Sequence, residues 1–153
     1  MKRVLSIACL LFCVALTGSL SAQATPPAGT APTAGMKITT DAEYAIHMKE
    51  IQQLNGVLNK SIKAGDAAEG GKAAARLEIL FKNIHGYWTD KKIADATEAA
   101  QTAVTALQTV QKSLAANDMT GAETARTTFA GTCMTCHTAH RGEKLPEGGY
   151  RIK

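Results

Sequence analysis

The chain has 153 residues, which sets an expectation of about one domain. With 45% apolar and 20% charged residues it reads as globular, neither disordered nor collagenous. Only 5% are aromatic and alanine fills much of the apolar quota, which leans toward helix. The 17 basic residues fall to 15 once Lys2 and Arg3 are set aside, against 13 acidic ones, a balance that excludes a strong electrostatic case for nucleic acid.

Met1-Lys2-Arg3 gives a positive start, Val4 to Leu20 is an almost unbroken apolar run, and Ala22-Gln23-Ala24 offers a cleavage site. Residues 1–24 therefore read as a secretory signal peptide, and the mature protein is expected in the periplasm. The core of the run, about 14 residues, is short for a membrane span. An uncleaved anchor and a lipoprotein are the alternatives, although Cys9 comes before enough apolar residues have passed. Cleavage leaves two cysteines, Cys133 and Cys136. Residues 25–39, rich in Pro, Ala and Thr, have no apolar period and read as a flexible linker.

Four helical segments follow, over residues 40–141. The first opens at Thr40, with Glu43 completing a capping box. Its stripe is Tyr44, Met48, Ile51, Val57/Leu58 and Ile62, and Gly65-Asp66 stops it. The second runs from Ala67 to His85, with Ala73, Leu77, Leu80/Phe81 and Ile84 on one face. Gly86-Tyr87-Trp88-Thr89 is expected to break the chain, with His85 favoured at the helix end by the dipole and Tyr87 and Trp88 plugging the bundle end. Lys91-Lys92 reads as a solvated face. The third spans Asp90 to Ala116 on a stripe of Ile93, Thr97, Ala100, Val104, Leu107, Val110/Gln111 and Leu114. After a loop at Asn117-Asp118-Met119, the fourth starts at Thr120 with a capping box to Glu123 and continues through Ala125, Phe129, Cys133 and Cys136 to Arg141. No segment alternates at period two. Long amphipathic helices with short loops predict an all-α, antiparallel four-helix bundle, followed by a tail at 142–153.

The chemistry lies in Cys133-Met134-Thr135-Cys136-His137. Two thiols three residues apart on a helix turn can both add to the vinyl groups on one edge of a haem, and the next residue then points its imidazole at the iron. This string is a c-type haem attachment sequence, and a proximal His is a standard haem ligand. The competing readings fit less well. A thioredoxin-like pair wants a strand before it, a structural zinc site wants two more ligands, and a plain disulfide leaves His137 without a role. One covalent haem c is the expectation.

A haem site on the last helix of a four-helix bundle resembles the cytochrome c′ family, the class II c-type cytochromes. The resemblance covers about residues 40–141 and rests on Cys133-x-x-Cys136-His137 with Arg141 four residues on. It implies that Arg141 lies near the haem propionates. Two features depart from the family: the tail extends past its usual end, and His140 stands where an aromatic is usual.

The far face of the iron decides function. The resemblance implies either an apolar side chain of the first helix there, leaving iron five-coordinate and open to NO or CO, or a Met ligand and plain electron transfer. Met48 falls about where the family's distal residue does. It lies about seven residues into the first helix and His137 about four from the end of the fourth, so antiparallel neighbours bring them within about a turn, ~5 Å. Spacing alone does not separate Met48 from core filler; the resemblance favours it as ligand. His47, on the other flank of the stripe, is the runner-up. His140 is on the same side as His137 and reads as a polar group near the haem edge. The leading expectation is electron transfer with periplasmic redox proteins, and NO or CO binding is the alternative. An enzyme such as a peroxidase would want distal acid–base groups, of which the stripe supplies only His47. Many cytochromes c′ pair through their helices, so the resemblance also points to a homodimer.

Overall fold

A computed structural model describes residues 32–146 and 148–153. The expected signal peptide at 1–24, with Cys9 and Cys13, and the first part of the linker lie outside them. Four helices form: α1 (Asp41–Ala64), α2 (Ala67–Lys91), α3 (Ala94–Ala115) and α4 (Met119–His140). Two short strands follow, β1 (Arg141–Lys144) and β2 (Tyr150–Ile152). Connections of two or three residues return each helix alongside the one before it, and α1 packs on α2, α2 on α3 and α3 on α4. This is the bundle the helical periods imply. Among the described residues no helix is long and apolar enough to cross a membrane.

Local chemistry explains the ends. The Thr40 hydroxyl accepts from Glu43 N while the Glu43 carboxylate accepts from Thr40 N, a complete capping box. Gly65 closes α1 with φ of +72° in the left-handed region, where glycine has no Cβ penalty.

Three helix boundaries differ from expectation. Gly86 does not break α2, which continues to Lys91 and stops at Lys92. A glycine in a helix interior costs only about 1 kcal/mol, and the next two residues outweigh that. Tyr87 and Trp88 are 4% and 1% exposed, anchored in the core through the uninterrupted helical phase. His85 is therefore mid-helix, not a cap; its carbonyl accepts from the Thr89 hydroxyl. α3 accordingly starts at Ala94 rather than Asp90. α4 starts at Met119, capped by the Asp118 carboxylate, which accepts from Gly121 N at 2.8 Å. The expected Thr120–Glu123 box gives way because Glu123 is taken by Arg126.

The core runs along the bundle through Leu58, Leu77, Leu80, Ile84, Leu107, Val110, Leu114 and Phe129. Alanines at 96, 100, 103 and 106 bring α3 close to its neighbours. Part of the expected linker is also docked: Ile38 is buried in the core, and the Thr33 carbonyl accepts from Asn83 Nδ2 at 2.8 Å.

The tail is a hairpin, which the helical reading did not foresee. Arg141 pairs with Ile152 and Lys144 with Tyr150, antiparallel. Arg141 thus lies just beyond α4, in β1. Gly149 turns the chain at φ +82°, where a Cβ would come within 2.8 Å of Ala45 on α1. β2 then lies against the first turn of α1, with Ile152 N 3.5 Å from Asp41 Oδ2.

Candidate functional site

α4 changes character along its length. Its first half buries Ala122, Ala125 and Phe129, the last locked edge-to-face on Phe81 with ring centroids 5.2 Å apart. From Ala130 to His140 no side chain is buried, and this half carries Cys133, Cys136 and His137. The reason is partly topological. α4 packs closely on α3 but touches α1 only sparsely, so little of α1 covers this half of the helix.

Both cysteines are free thiols of intermediate exposure, and Cys136 packs against the edge of the core. Burial pushes both thiols above the ordinary range, and for Cys136 the neighbouring Cys133 and Asp95 add to it. At neutral pH they are S–H groups. Burial holds the His137 imidazole below its usual range, and the Arg141 guanidinium lowers it further. His137 is thus neutral at pH 7, and among the described residues its ring makes no hydrogen bond. A neutral imidazole with a free lone pair is what a metal ligand requires.

Tyr44 stands in the first turns of α1. Burial pushes its hydroxyl well above the ordinary range, the bond from Trp88 Nε1 at 3.2 Å works the other way, and Cys136 and Cys133 are near enough to raise it again. Tyr44 packs on Tyr87 and Trp88, with centroids 4.9 and 5.8 Å away. This aromatic group lies within electrostatic reach of the thiols, and the helical stripe alone did not mark Tyr44 as part of the site.

The other expected residues fall in three places. Met48, one turn beyond Tyr44, is half-buried against the core. His47 is 1% exposed and held at both nitrogens: Nδ1 lies 2.8 Å from the Glu43 carbonyl and Nε2 3.3 Å from Asn83 Nδ2. It faces α2, fastening α1 to that helix. Arg141, exposed, lays its guanidinium 4.3 Å over the Tyr150 ring. His140 bonds Asp95 at the start of α3 and stacks on Trp88.

These features fit a large, flat, apolar group held covalently. Two half-buried thiols stand three residues apart, Cys136 against the core edge, a neutral imidazole follows directly, and the Tyr44–Tyr87–Trp88 aromatic group lies within electrostatic reach. No family model, curated protein or solved structure matches the chain.

Proposed function

We propose that this chain is an exported monohaem c-type cytochrome that transfers electrons in the periplasm. The observation that carries the reading is the Cys133/Cys136/His137 set on the half-exposed end of α4, the helix that α1 touches only sparsely. Cys133 and Cys136 hold haem c by two thioether bonds, and His137 is the proximal ligand. When bound, the haem supplies a one-electron iron couple. The chain's own residues set its surroundings: Phe129, Trp88 and Tyr44 keep water out, and Arg141 places a positive charge near His137 that suits a propionate. On the distal side Met48 is the favoured ligand. His47, with both nitrogens engaged, has no lone pair to offer as it stands. A neutral thioether opposite His137 favours the ferrous state and raises the potential, which suits an electron carrier.

One observation favours the alternative, a five-coordinate protein binding NO or CO. The Tyr44 hydroxyl is near enough to feel both thiols and is engaged by Trp88, and a side chain so held, standing on that face in place of Met48, would leave iron without a sixth ligand. Both readings share the covalent attachment, which one experiment tests. Denatured protein from cells with haem-attachment machinery should keep its haem colour on a gel. Cys133→Ala or Cys136→Ala should weaken that retention and His137→Ala should shift the spectrum. Haem extracted freely by acid and organic solvent refutes the proposal.

A further inference from the structure

Beyond Phe129, one side chain of α4 is fixed to every other helix, directly or through a single intermediary. His140 Nε2 lies 2.8 Å from Asp95 Oδ2, in the first turn of α3. The His140 ring packs on Trp88 of α2, with centroids 5.0 Å apart and planes at 44°. Trp88 in turn donates Nε1–H to Tyr44 of α1 at 3.2 Å. Asp95, His140, Trp88 and Tyr44 thus form one chain of contacts through four helices. The His140 carbonyl also accepts from Lys153 N at 2.9 Å, closing the C-terminal hairpin onto the same residue.

This chain lies at the level of the proposed site. His140 is three residues past His137, so the two share a helix face about one turn apart. Tyr44, at the far end of the chain, is near enough to Cys136 and Cys133 for their charges to act on its hydroxyl. Between Phe129 and His140 no side chain of α4 is fully buried, although Cys136 packs on the edge of the core, so the contacts at the helix end help to set its direction. The Asp95 carboxyl is held below its ordinary range chiefly by the hydrogen bond from His140, in agreement with the short contact.

We infer that His140 is a positioning residue for His137: by clasping the end of α4 to α3 and to the Trp88–Tyr44 pair, it fixes the distance between the proximal imidazole and the distal face of α1. The inference rests on the haem reading proposed above. A helix end released from Asp95 and Trp88 swings away from α1, and an added ligand then competes more easily for the distal position. An imidazole at 140, unlike a phenyl ring, serves both contacts, since it packs on Trp88 and donates to Asp95.

The test uses the holoprotein and titrates the ferric form with free imidazole, followed by its visible spectrum. His140→Leu should raise imidazole affinity about tenfold, within the range of coupling between contacting residues. Asp95→Ala should act in the same direction. The double variant should do no more than His140→Leu alone, because the Asp95 contact is already lost in that single variant. His140→Gln, which keeps an N–H donor for Asp95 and a flat group for Trp88, should return the affinity toward wild type. A merely structural role would lower the melting temperature of His140→Leu while leaving spectrum and affinity as in wild type, and that result overturns the inference while leaving the haem reading intact. Purified wild type without covalent haem overturns the haem reading and this inference together.

Discussion

The half-exposed end of α4 gives the sharpest expectation about coupling between cofactor and fold. Without haem, residues 130–140 hold to the body through few contacts. The stack of His140 on Trp88 contributes ~1 kcal/mol, and half-burial of Cys133 and Cys136 about 1 kcal/mol each. The Asp95 contact is exposed on its carboxylate side and adds less than the packing on Trp88. Local opening of this segment should therefore cost about 2–3 kcal/mol, a protection factor of roughly 30 to 200 for amide exchange. Amides in the core of α2 and α3, around Leu80 and Leu107, open only with global unfolding, at about 5–15 kcal/mol for an ordinary domain. The perturbation is a Cys133→Ser/Cys136→Ser double variant that cannot attach haem, and the assay is native-state hydrogen exchange read residue by residue. In the variant, amides at 133–140 should exchange at least tenfold faster than those at 77–84. In the holoprotein that the proposed function requires they should slow toward the core values, because a haem tied to α4 would couple their opening to the rest of the bundle. Equal protection of both segments in the haem-free variant would refute the reasoning, since α4 would then be fully held by protein alone.

Two further outcomes follow from the same contacts. Met48→Ala should turn the haem high-spin and let the ferrous protein bind CO readily, while His47→Ala leaves the spectrum nearly unchanged but lowers stability through the lost Glu43 and Asn83 contacts; the reverse spectral pattern moves the ligand to His47, and a wild type already high-spin supports the five-coordinate reading. For Glu78, burial alone would raise its carboxyl, but hydrogen bonds from Lys82, Gln108 and Gln111 outweigh it and hold it at about 2. A depressed carboxyl stabilises the fold above its unfolded value near 4.5, and that stability is lost as pH falls from there toward 2. Glu78→Gln should thus cost about 1–2 kcal/mol at pH 7 after allowance for solvent screening, with the two denaturation midpoints converging below pH 3; a gap that stays constant with pH counts against the assignment.

Signals confined to one turn of helix were readable without a structure. Thr40 with Glu43 and Gly65 mark α1 because capping chemistry acts over three or four residues. Sequence and structure part where a local signal meets a distant contact. Gly86 is a helix breaker by propensity, yet Trp88 and Tyr87 gain more from burial against Tyr44, more than forty residues away in sequence, than the glycine costs. At α4 two caps compete within three residues, and the pairing of Glu123 with Arg126 decides for Asp118. The hairpin left almost no period to read, since its strands have four and three residues. Its only cue was Gly148-Gly149 before Tyr150. Asp95 and His140, forty-five apart, left none.

The candidate site shows the same division, and its legible part explains why the fold and the chemistry are tied together. Along α4 the inward stripe reads Ala122, Ala125, Phe129, Cys133, Cys136 and His140, steps of three and four residues throughout. The period does not stop where burial stops. It continues, with thiols and an imidazole in positions that Leu or Phe would fill in an ordinary bundle. A bundle that keeps the spacing of a core stripe while giving up its apolar bulk must regain that bulk elsewhere, because α1 and α4 touch only sparsely. A flat apolar group joined to Cys133 and Cys136 would restore the missing layer, and Tyr44, Trp88 and Phe129 would become its walls. On this reasoning haem would be the last piece of the core as well as the redox centre. Loss of attachment should then appear first as loose packing at the end of α4, before it appears as loss of helix elsewhere.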